Sequence, residues 1–206
     1  MKKIIVALLV AALCMVAPVA AFDWDALPTN TEVWIDSTQP LGYAYFDIHI
    51  GNDVYPGWCV DIVNLAILGE ANTYYADFSS TIVGDEKWNK VNWVLNNKGQ
   101  ATTQDIQAAI WLIYAGAMPT GNVVGANWDS FVARELVEEA DPSFVPGCGD
   151  IGAILIVPSG GTVSQSTIIE VPMPECPPPV PEFPTMMIPV FLVGSLLVAS
   201  NVLKKE

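Results

Sequence analysis

Residues 57–61 are Gly-Trp-Cys-Val-Asp, and residues 106–111 are Ile-Gln-Ala-Ala-Ile-Trp. The first stretch lies in an extended, aromatic segment typical of a β-strand, and the second lies in an apolar run typical of an α-helix. A helix docked on that strand can bring Cys59 against the carboxamide of Gln107. A buried thiolate beside a carboxamide can displace ammonia and leave an internal thioester, which an outside amine can attack. Cys59 and Gln107 are therefore the candidate reactive pair.

The order of the predicted elements indicates one α+β domain. Extended segments come first, three helices follow, and two further strands close the domain. Thr102 or Thr103 can cap the central helix, and Gly116 can end it. The predicted strands are two within Thr31–Ile50, then Val54–Val63, Ile151–Val157 and Thr167–Val171, and the predicted helices are Asp85–Asn96, Thr103–Gly116 and Trp128–Ala140.

Residues 1–21 are typical of a secretory signal peptide. Lys2 and Lys3 form a charged start, an apolar core follows, and small residues precede Phe22. An uncleaved N-terminal anchor is the alternative. Cleavage of the signal peptide would remove Cys14, so the mature protein would keep three of the four cysteines. The signal also predicts an extracellular protein.

An odd number of cysteines cannot all pair within one chain. Cys148 and Cys176 both lie in loop-like surroundings and could form a disulfide. Cys59 would then be the unpaired cysteine. This count fits a thioester, and it fits a buried, inert thiol equally well.

The C-terminal part predicts attachment to a membrane. Residues 173–185 are a proline-rich stalk, residues 186–203 form an apolar run just long enough to cross a bilayer, and residues 204–206 form a basic cytoplasmic tail. The stalk ends in the Pro-Glu-Phe-Pro motif of residues 181–184. Together the motif, the apolar run and the basic tail resemble the PEF-CTERM sorting signal of archaeal surface proteins. This resemblance implies an archaeosortase-like processing enzyme as partner. A plain single-pass anchor is the alternative.

The charge of the chain excludes some classes of partner. The sequence has 22 acidic and 8 basic residues, for a formal net charge of -14. We expect no nucleic-acid partner, because phosphate binding needs a basic face. We also expect no metal site and no cofactor, since no Cys/His cluster, EF-hand loop or Gly-rich phosphate loop is present.

The two stretches around Cys59 and Gln107 resemble the Cys and Gln motifs of the thioester domains on Gram-positive surface adhesins. The resemblance covers about residues 24–172, and we place the domain at residues 22–172. It implies a β-barrel or sandwich with a small helical lobe inserted between strands, and a cell-surface adhesin that captures an amine-bearing target, such as a lysine, covalently. Trp58 and Trp111 are candidates to shield the bond from water. Such a protein reacts once and is not an enzyme.

Three alternatives remain open from the sequence. Gln104 lies one helical turn before Gln107 and is the competing acyl donor. His49, the single histidine, could pair with Cys59 in a cysteine hydrolase or act as a base. In the third alternative, Cys59 is inert and the protein binds a glycan or a cell-envelope neighbour without a covalent bond.

Overall fold

The computed structural model describes residues 26–36, 44–62, 66–82, 84–117, 128–160, 162 and 164–176. The chain divides into two compact units, Met1–Pro174 and Glu175–Glu206, and the described helices and strands lie in the first. The predicted signal segment, the Pro-Glu-Phe-Pro motif, the apolar run of residues 186–203 and the basic tail lie outside the described residues. Among the residues that are described, no helix has the length and apolar character needed to cross a membrane.

Six antiparallel strands form a closed barrel. In chain order they are β1 (Thr31–Asp36), β2 (Phe46–Ile50), β3 (Asp53–Cys59), β4 (Tyr74–Ser80), β5 (Ile151–Pro158) and β6 (Thr167–Pro172). Around the barrel their order is β1-β2-β3-β6-β5-β4, and β4 returns to pair with β1. Closure removes the unpaired edges that an open sheet would expose. The expected α+β fold, a barrel with an inserted helical lobe, is confirmed.

Three helices are inserted between β4 and β5: α1 (Glu86–Asn96), α2 (Thr103–Ala115) and α3 (Ser130–Glu139). The ends of α2 follow its sequence. Thr102 and Asp105 form a reciprocal capping box at the start, and Gly116 ends the helix with φ 69°, a conformation that glycine adopts without strain. Asp85 caps α1 by accepting from two backbone N–H groups.

The strands bury their two faces in two separate cores, because successive residues of a strand point to opposite sides. The inner core fills the barrel, and the outer core lies between the barrel wall and the helices. The inner core contains Val33, Ile35, Phe46, Ile48, Cys59, Tyr74, Ala76, Phe78, Ala108, Trp111, Ala133, Ile154, Ile156, Ile169 and Val171. The outer core contains Ala44, Trp58, Val60, Val91, Val94, Leu95, Ile106, Ala109, Ile110, Ile113, Leu136, Ala140, Ala153 and Ile168.

Two asparagines of α1 bind the backbone of β5 where β4 has ended. The last β4–β5 pair is Ser80 with Ile154. Asn92 accepts from the Ala153 N–H at 2.8 Å, and Asn96 both accepts from and donates to the backbone of Ile151, at 2.8 Å each. The asparagine amides thus supply the hydrogen bonds that a further strand residue would make, and they fix α1 against the barrel.

Strand β4 is absent from the sequence prediction. It is the strand that closes the barrel, since it pairs with both β1 and β5. A short 3-10 helix, Glu70–Asn72, was also not predicted. Other differences concern the ends of elements: β3 ends at Cys59 and not at Val63, and α3 begins at Ser130, after the cap Asp129, and not at Trp128. End positions of this kind depend on tertiary contacts more than on local sequence.

Candidate functional site

Cys59 is the last residue of β3, and it is 2% exposed. It lies directly opposite Thr167 of β6. The backbone hydrogen bond towards β6 is made by the next residue, Val60, whose N–H donates to Ser166 O at 3.2 Å. The N–H and C=O of Cys59 therefore point away from β6. On the side towards β2, Cys59 has no strand partner, because β2 begins at Phe46 and Phe46 pairs with Gly57.

Gln107 occupies the position that β2 leaves. Its side chain comes from the middle of α2 and is fully buried. The Cys59 N–H donates to Gln107 Oε1 at 2.8 Å, and Gln107 Nε2 donates to Cys59 O at 2.8 Å. The carboxamide therefore lies against the backbone of the cysteine, held at both ends. The structure brings together the two residues that the sequence selected although 48 positions separate them.

Gln104, the competing glutamine, lies in the first turn of α2 and is partly exposed, whereas Gln107 has no exposed surface. The difference follows from helix geometry, because three residues turn a side chain by about 300° and only partly restore its direction. The contact with the Cys59 backbone is made by Gln107.

The two tryptophans proposed as shields lie on different sides of the barrel wall. Trp111 belongs to the inner core, as Cys59 does, and its ring meets Tyr45 edge to face with centroids 6.3 Å apart. Trp58 precedes Cys59 along the strand and therefore points the other way, into the outer core. The expectation that Trp58 covers the thiol does not fit this placement.

Trp58 instead takes part in a partly buried ion-pair cluster. Its indole Nε1 donates to Glu170 Oε1 at 2.7 Å, and the same oxygen accepts from Lys98 Nζ at 2.5 Å. The Lys98 ammonium also lies 5.5 Å from the centre of the Trp58 ring. This cluster joins β3 and β6 to the segment between α1 and α2. Helix α2, which carries Gln107, begins five residues after Lys98.

His49 does not face Cys59. In the β2–β3 ladder it pairs with Val54, whereas Phe46 and Ile48 share the inner face with Cys59. The His49 ring stacks on Trp34 of β1, with centroids 3.5 Å apart and planes at 10°. A Cys–His pair would need both side chains on one face of the sheet. Cys59 and His49 therefore do not form the Cys–His pair that a cysteine hydrolase would need.

The cysteines differ in bonding. Cys59 is a free, buried thiol. Cys148 and Cys176 are each disulfide-bonded. Near Cys148, the Gly149 N–H donates to Pro174 O at 3.1 Å, and the Met173 N–H donates to Asp150 O at 2.7 Å. Cys59 is thus the described cysteine whose sulfur is available for chemistry.

The surroundings of the Cys59 thiol disfavour its ionised form. Burial raises the pKa of Cys59 well above its ordinary value, and a hydrogen bond from the Gln165 side chain opposes that rise. The charge of Asp61 raises the pKa further. The thiol is therefore protonated at neutral pH, and any reaction must move its proton. Gln165 is a site residue that the sequence analysis missed.

Tyr74 of β4 lies near the same sulfur. Burial raises the pKa of Tyr74 to about 12, while Ser164 and Thr167 lower it and Cys59 raises it. The hydroxyls of Ser164 and Thr167 are close enough to affect the pKa of Tyr74, yet the buried hydroxyls of Tyr74 and Thr167 make no hydrogen bond of regular geometry.

No group of three or more His, Cys, Asp or Glu side chains that could hold a metal ion occurs within the described ranges.

Comparison with known proteins was made on sequence and on fold. No protein-family model matches the chain, and no curated protein matches it. Among solved structures, the N-terminal domain of the Streptococcus pyogenes pilus tip adhesin Cpa is similar, with a TM-score of 0.51, 8% identity, and coverage of 73% of this chain and 97% of that chain.

Two structures described as N-terminal thioester domains are also similar. The domain of the fibronectin-binding protein SfbI from Streptococcus pyogenes has a TM-score of 0.46 at 12% identity, covering 70% of this chain and 95% of that chain. The domain of a surface protein from Clostridium perfringens has a TM-score of 0.43 at 14% identity, covering 69% and 100%. The likeness to the Cpa domain, at 8% identity, is a likeness of fold alone.

Proposed function

We propose that this protein is a cell-surface, adhesin-like protein in which Cys59 and Gln107 form an internal thioester that captures an amine-bearing target covalently. The observation that supports this most is the pair of 2.8 Å hydrogen bonds between the Gln107 carboxamide and the Cys59 backbone. They hold the acyl carbon of one residue next to the other residue, and they are made inside a site closed to water.

In the first step the Cys59 sulfur attacks Cδ of Gln107. The S–H bond and the Cδ–Nε2 bond break, the S–Cδ bond forms, and the thiol proton leaves with Nε2 as ammonia. The Cys59 N–H already donates to Gln107 Oε1, the oxygen that gains negative charge during the attack. This placement lowers the barrier because the donor needs no rearrangement.

In the second step an amine of the target attacks the same carbon. The C–S bond breaks, an amide forms between Gln107 and the target, and Cys59 recovers a proton. Sulfur leaves because a thiolate is a far better leaving group than an amide nitrogen. The amide is permanent, so each molecule reacts once, and the protein acts as a reagent and not as an enzyme.

Intact mass tests the first step. The purified protein should weigh about 17 Da less than its sequence, the mass of one ammonia. Cys59→Ala should abolish the deficit, and so should Gln107→Ala, whereas the matched control Gln104→Ala should retain it. A wild type of full mass whose Cys59 is alkylated in the folded state would refute the thioester and leave the non-covalent surface protein.

Methylamine tests the second step. It should add to Gln107 and free the Cys59 thiol, and a protein partner with an accessible lysine should give an adduct that survives boiling in denaturant. Cys59→Ala should fold and form no adduct. If the wild type carries the bond but reacts with no amine, the thioester is a structural crosslink and the capture function is wrong.

The surface location follows from the same proposal together with the sequence signals at both ends. The mature protein should begin near Phe22 and should lack residues 186–203 after an archaeosortase-like enzyme has cut the tail. Peptides that join the stalk to the apolar run in native envelope protein would instead establish a plain membrane anchor.

A further inference from the structure

Thr167 of β6 is the cross-strand partner of Cys59. The two residues form a non-hydrogen-bonded pair, because the backbone hydrogen bond is made next to them, from the Val60 N–H to Ser166 O. In such a pair the side chains lie on the same face of the sheet, with Cβ atoms about 4.5–5.5 Å apart. Cys59 points into the barrel. The Thr167 side chain therefore points into the barrel as well, next to the side chain that carries the sulfur.

The Thr167 hydroxyl has no hydrogen-bond partner. The residue has no exposed surface, and its Oγ1 makes no hydrogen bond of regular geometry. Within the described part of the chain, two further unpaired polar atoms, Tyr74 Oη and Trp111 Nε1, belong to residues that pack in the inner core with Cys59. Buried polar atoms without a partner cost free energy and are rare in folded proteins. Their concentration in the core around Cys59 points to a role in chemistry.

The strand pairing selects Thr167 among these three groups. Tyr74 belongs to β4, which lies across the barrel from β3, and Trp111 belongs to α2. Thr167 is the one whose position in the ladder is directly opposite Cys59. The hydrogen of a threonine hydroxyl rotates towards an acceptor. Since this hydroxyl has no other partner, it can donate to the sulfur without breaking an existing hydrogen bond.

We propose that the Thr167 hydroxyl donates a hydrogen bond to the Cys59 sulfur whenever that sulfur carries negative charge, an assignment that rests on the function proposed above. When the thioester forms, the thiol proton passes to the departing nitrogen, and the sulfur is negative until the S–Cδ bond is made. When an amine opens the bond, the sulfur leaves with the electron pair of the C–S bond and then takes the proton that the amine loses. Thr167 keeps its own proton in both steps. Its hydroxyl serves the sulfur, whereas the Cys59 N–H serves the carbonyl oxygen of Gln107.

The same substitution at two threonines of the full-length protein separates this role from a structural one. Thr167→Val replaces an unpaired hydroxyl with a methyl group. Thr81→Val does the same to a hydroxyl that donates to Ala153 O at 2.6 Å and accepts from Asn92 Nδ2 at 3.1 Å. Neither threonine has any exposed surface, so the two variants match in chemistry and in burial. Thr167→Ser keeps the hydroxyl and is the rescue variant.

Two measurements are made on each variant. Mass spectrometry follows the loss of ammonia after folding and the addition of methylamine, under conditions in which every variant is folded. Urea unfolding reports stability, and it is recorded in a Cys59→Ala background so that no crosslink contributes to the midpoint.

We expect Thr167→Val to slow both steps about tenfold to a hundredfold, the effect of a lost hydrogen bond to a charged group. Its urea midpoint should be equal to that of the reference or higher, because no group loses a partner. Thr81→Val should do the reverse, with a lower midpoint and wild-type rates. Thr167→Ser should react at close to the wild-type rate.

Wild-type rates in Thr167→Val would overturn the proposal, and so would a Thr167→Ser variant that is as slow as Thr167→Val. A loss of stability in Thr167→Val as large as that in Thr81→Val would make the hydroxyl structural and would also overturn it. In each of these cases, a wild type that lacks one ammonia and adds methylamine leaves the proposed function standing. A wild type of full mass that adds no methylamine overturns the proposed function, and this proposal with it.

Discussion

Gln107 should stabilise the fold even when no thioester can form. Its two hydrogen bonds go to the backbone of residue 59 and not to the sulfur. A Cys59→Ala variant therefore keeps both bonds and serves as a crosslink-free reference. Adding Gln107→Met to that variant removes both bonds while keeping most of the side-chain volume, so it measures the hydrogen bonds without a large cavity.

The expected cost follows from the two groups left behind. The N–H and C=O of residue 59 are buried, and β2 does not reach them. Leaving a buried donor or acceptor without a partner costs about 1–3 kcal/mol. Two such groups predict that Cys59→Ala/Gln107→Met is about 2–6 kcal/mol less stable than Cys59→Ala. An ordinary domain has a free energy of unfolding of about 5–15 kcal/mol, and we expect this domain to lie in that range. The predicted loss is therefore a large part of its stability.

Urea unfolding measures the difference, provided that the slope of free energy against denaturant is the same in the two proteins. The matched control is Cys59→Ala/Gln104→Met, which changes a partly exposed glutamine of the same helix and should differ from Cys59→Ala by about 0.5 kcal/mol or less. A loss below about 1 kcal/mol for the Gln107 variant would refute the reasoning, because water or a backbone shift must then satisfy both groups.

Three further predictions concern the barrel and its attached helices. Gly57→Ala should cost about 1–3 kcal/mol, since its Cβ would lie 2.6 Å from Ile48 Cγ1 and 2.7 Å from Ile48 Cδ1. Ile48→Val removes Cδ1 and should relieve part of that cost in a double-mutant urea series. Lys98→Met should cost about 3 kcal/mol in urea unfolding because it leaves Glu170 buried without its cation; a loss below about 1 kcal/mol would contradict this. Burial raises the pKa of Tyr74 to about 12, so Tyr74 contributes stability that is complete below about pH 10, the unfolded value, and is lost towards pH 12. Urea midpoints at high pH should therefore fall less in Tyr74→Phe, and an equal fall would count against the raised pKa.

The parts of the fold that local sequence determines were predictable. The caps of α1 and α2 are set by Asp85, Thr102 and Gly116, whose side chains or backbone act within one turn. Strand β4 was also within reach, since residues 74–79 are alternately buried and exposed. Its Ala, Asp and Ser residues weaken the propensity signal, and only pairing with β1 and β5 makes it a strand.

The candidate site was also predictable only in part. The contact between Cys59 and Gln107 was expected from a motif resemblance, and the alternation of a strand would have shown that Trp58 and Cys59 face opposite ways. Gln165 could not be found, because its place beside the sulfur depends on the pairing of β3 with β6. No local pattern distinguishes it from a glutamine in an exposed loop.

The topology of the barrel also sets the order in which the site is completed as the chain is synthesised. Strand β3 lies between β2, made just before it, and β6, made more than 100 residues later. Gln107 is made before β6 as well, so both partners exist for some time while the wall beside Cys59 is missing. Pairing over such sequence distances is slow. The sulfur and the carboxamide therefore reach their final geometry only when nearly the whole domain has been made, which links the onset of reactivity to complete folding.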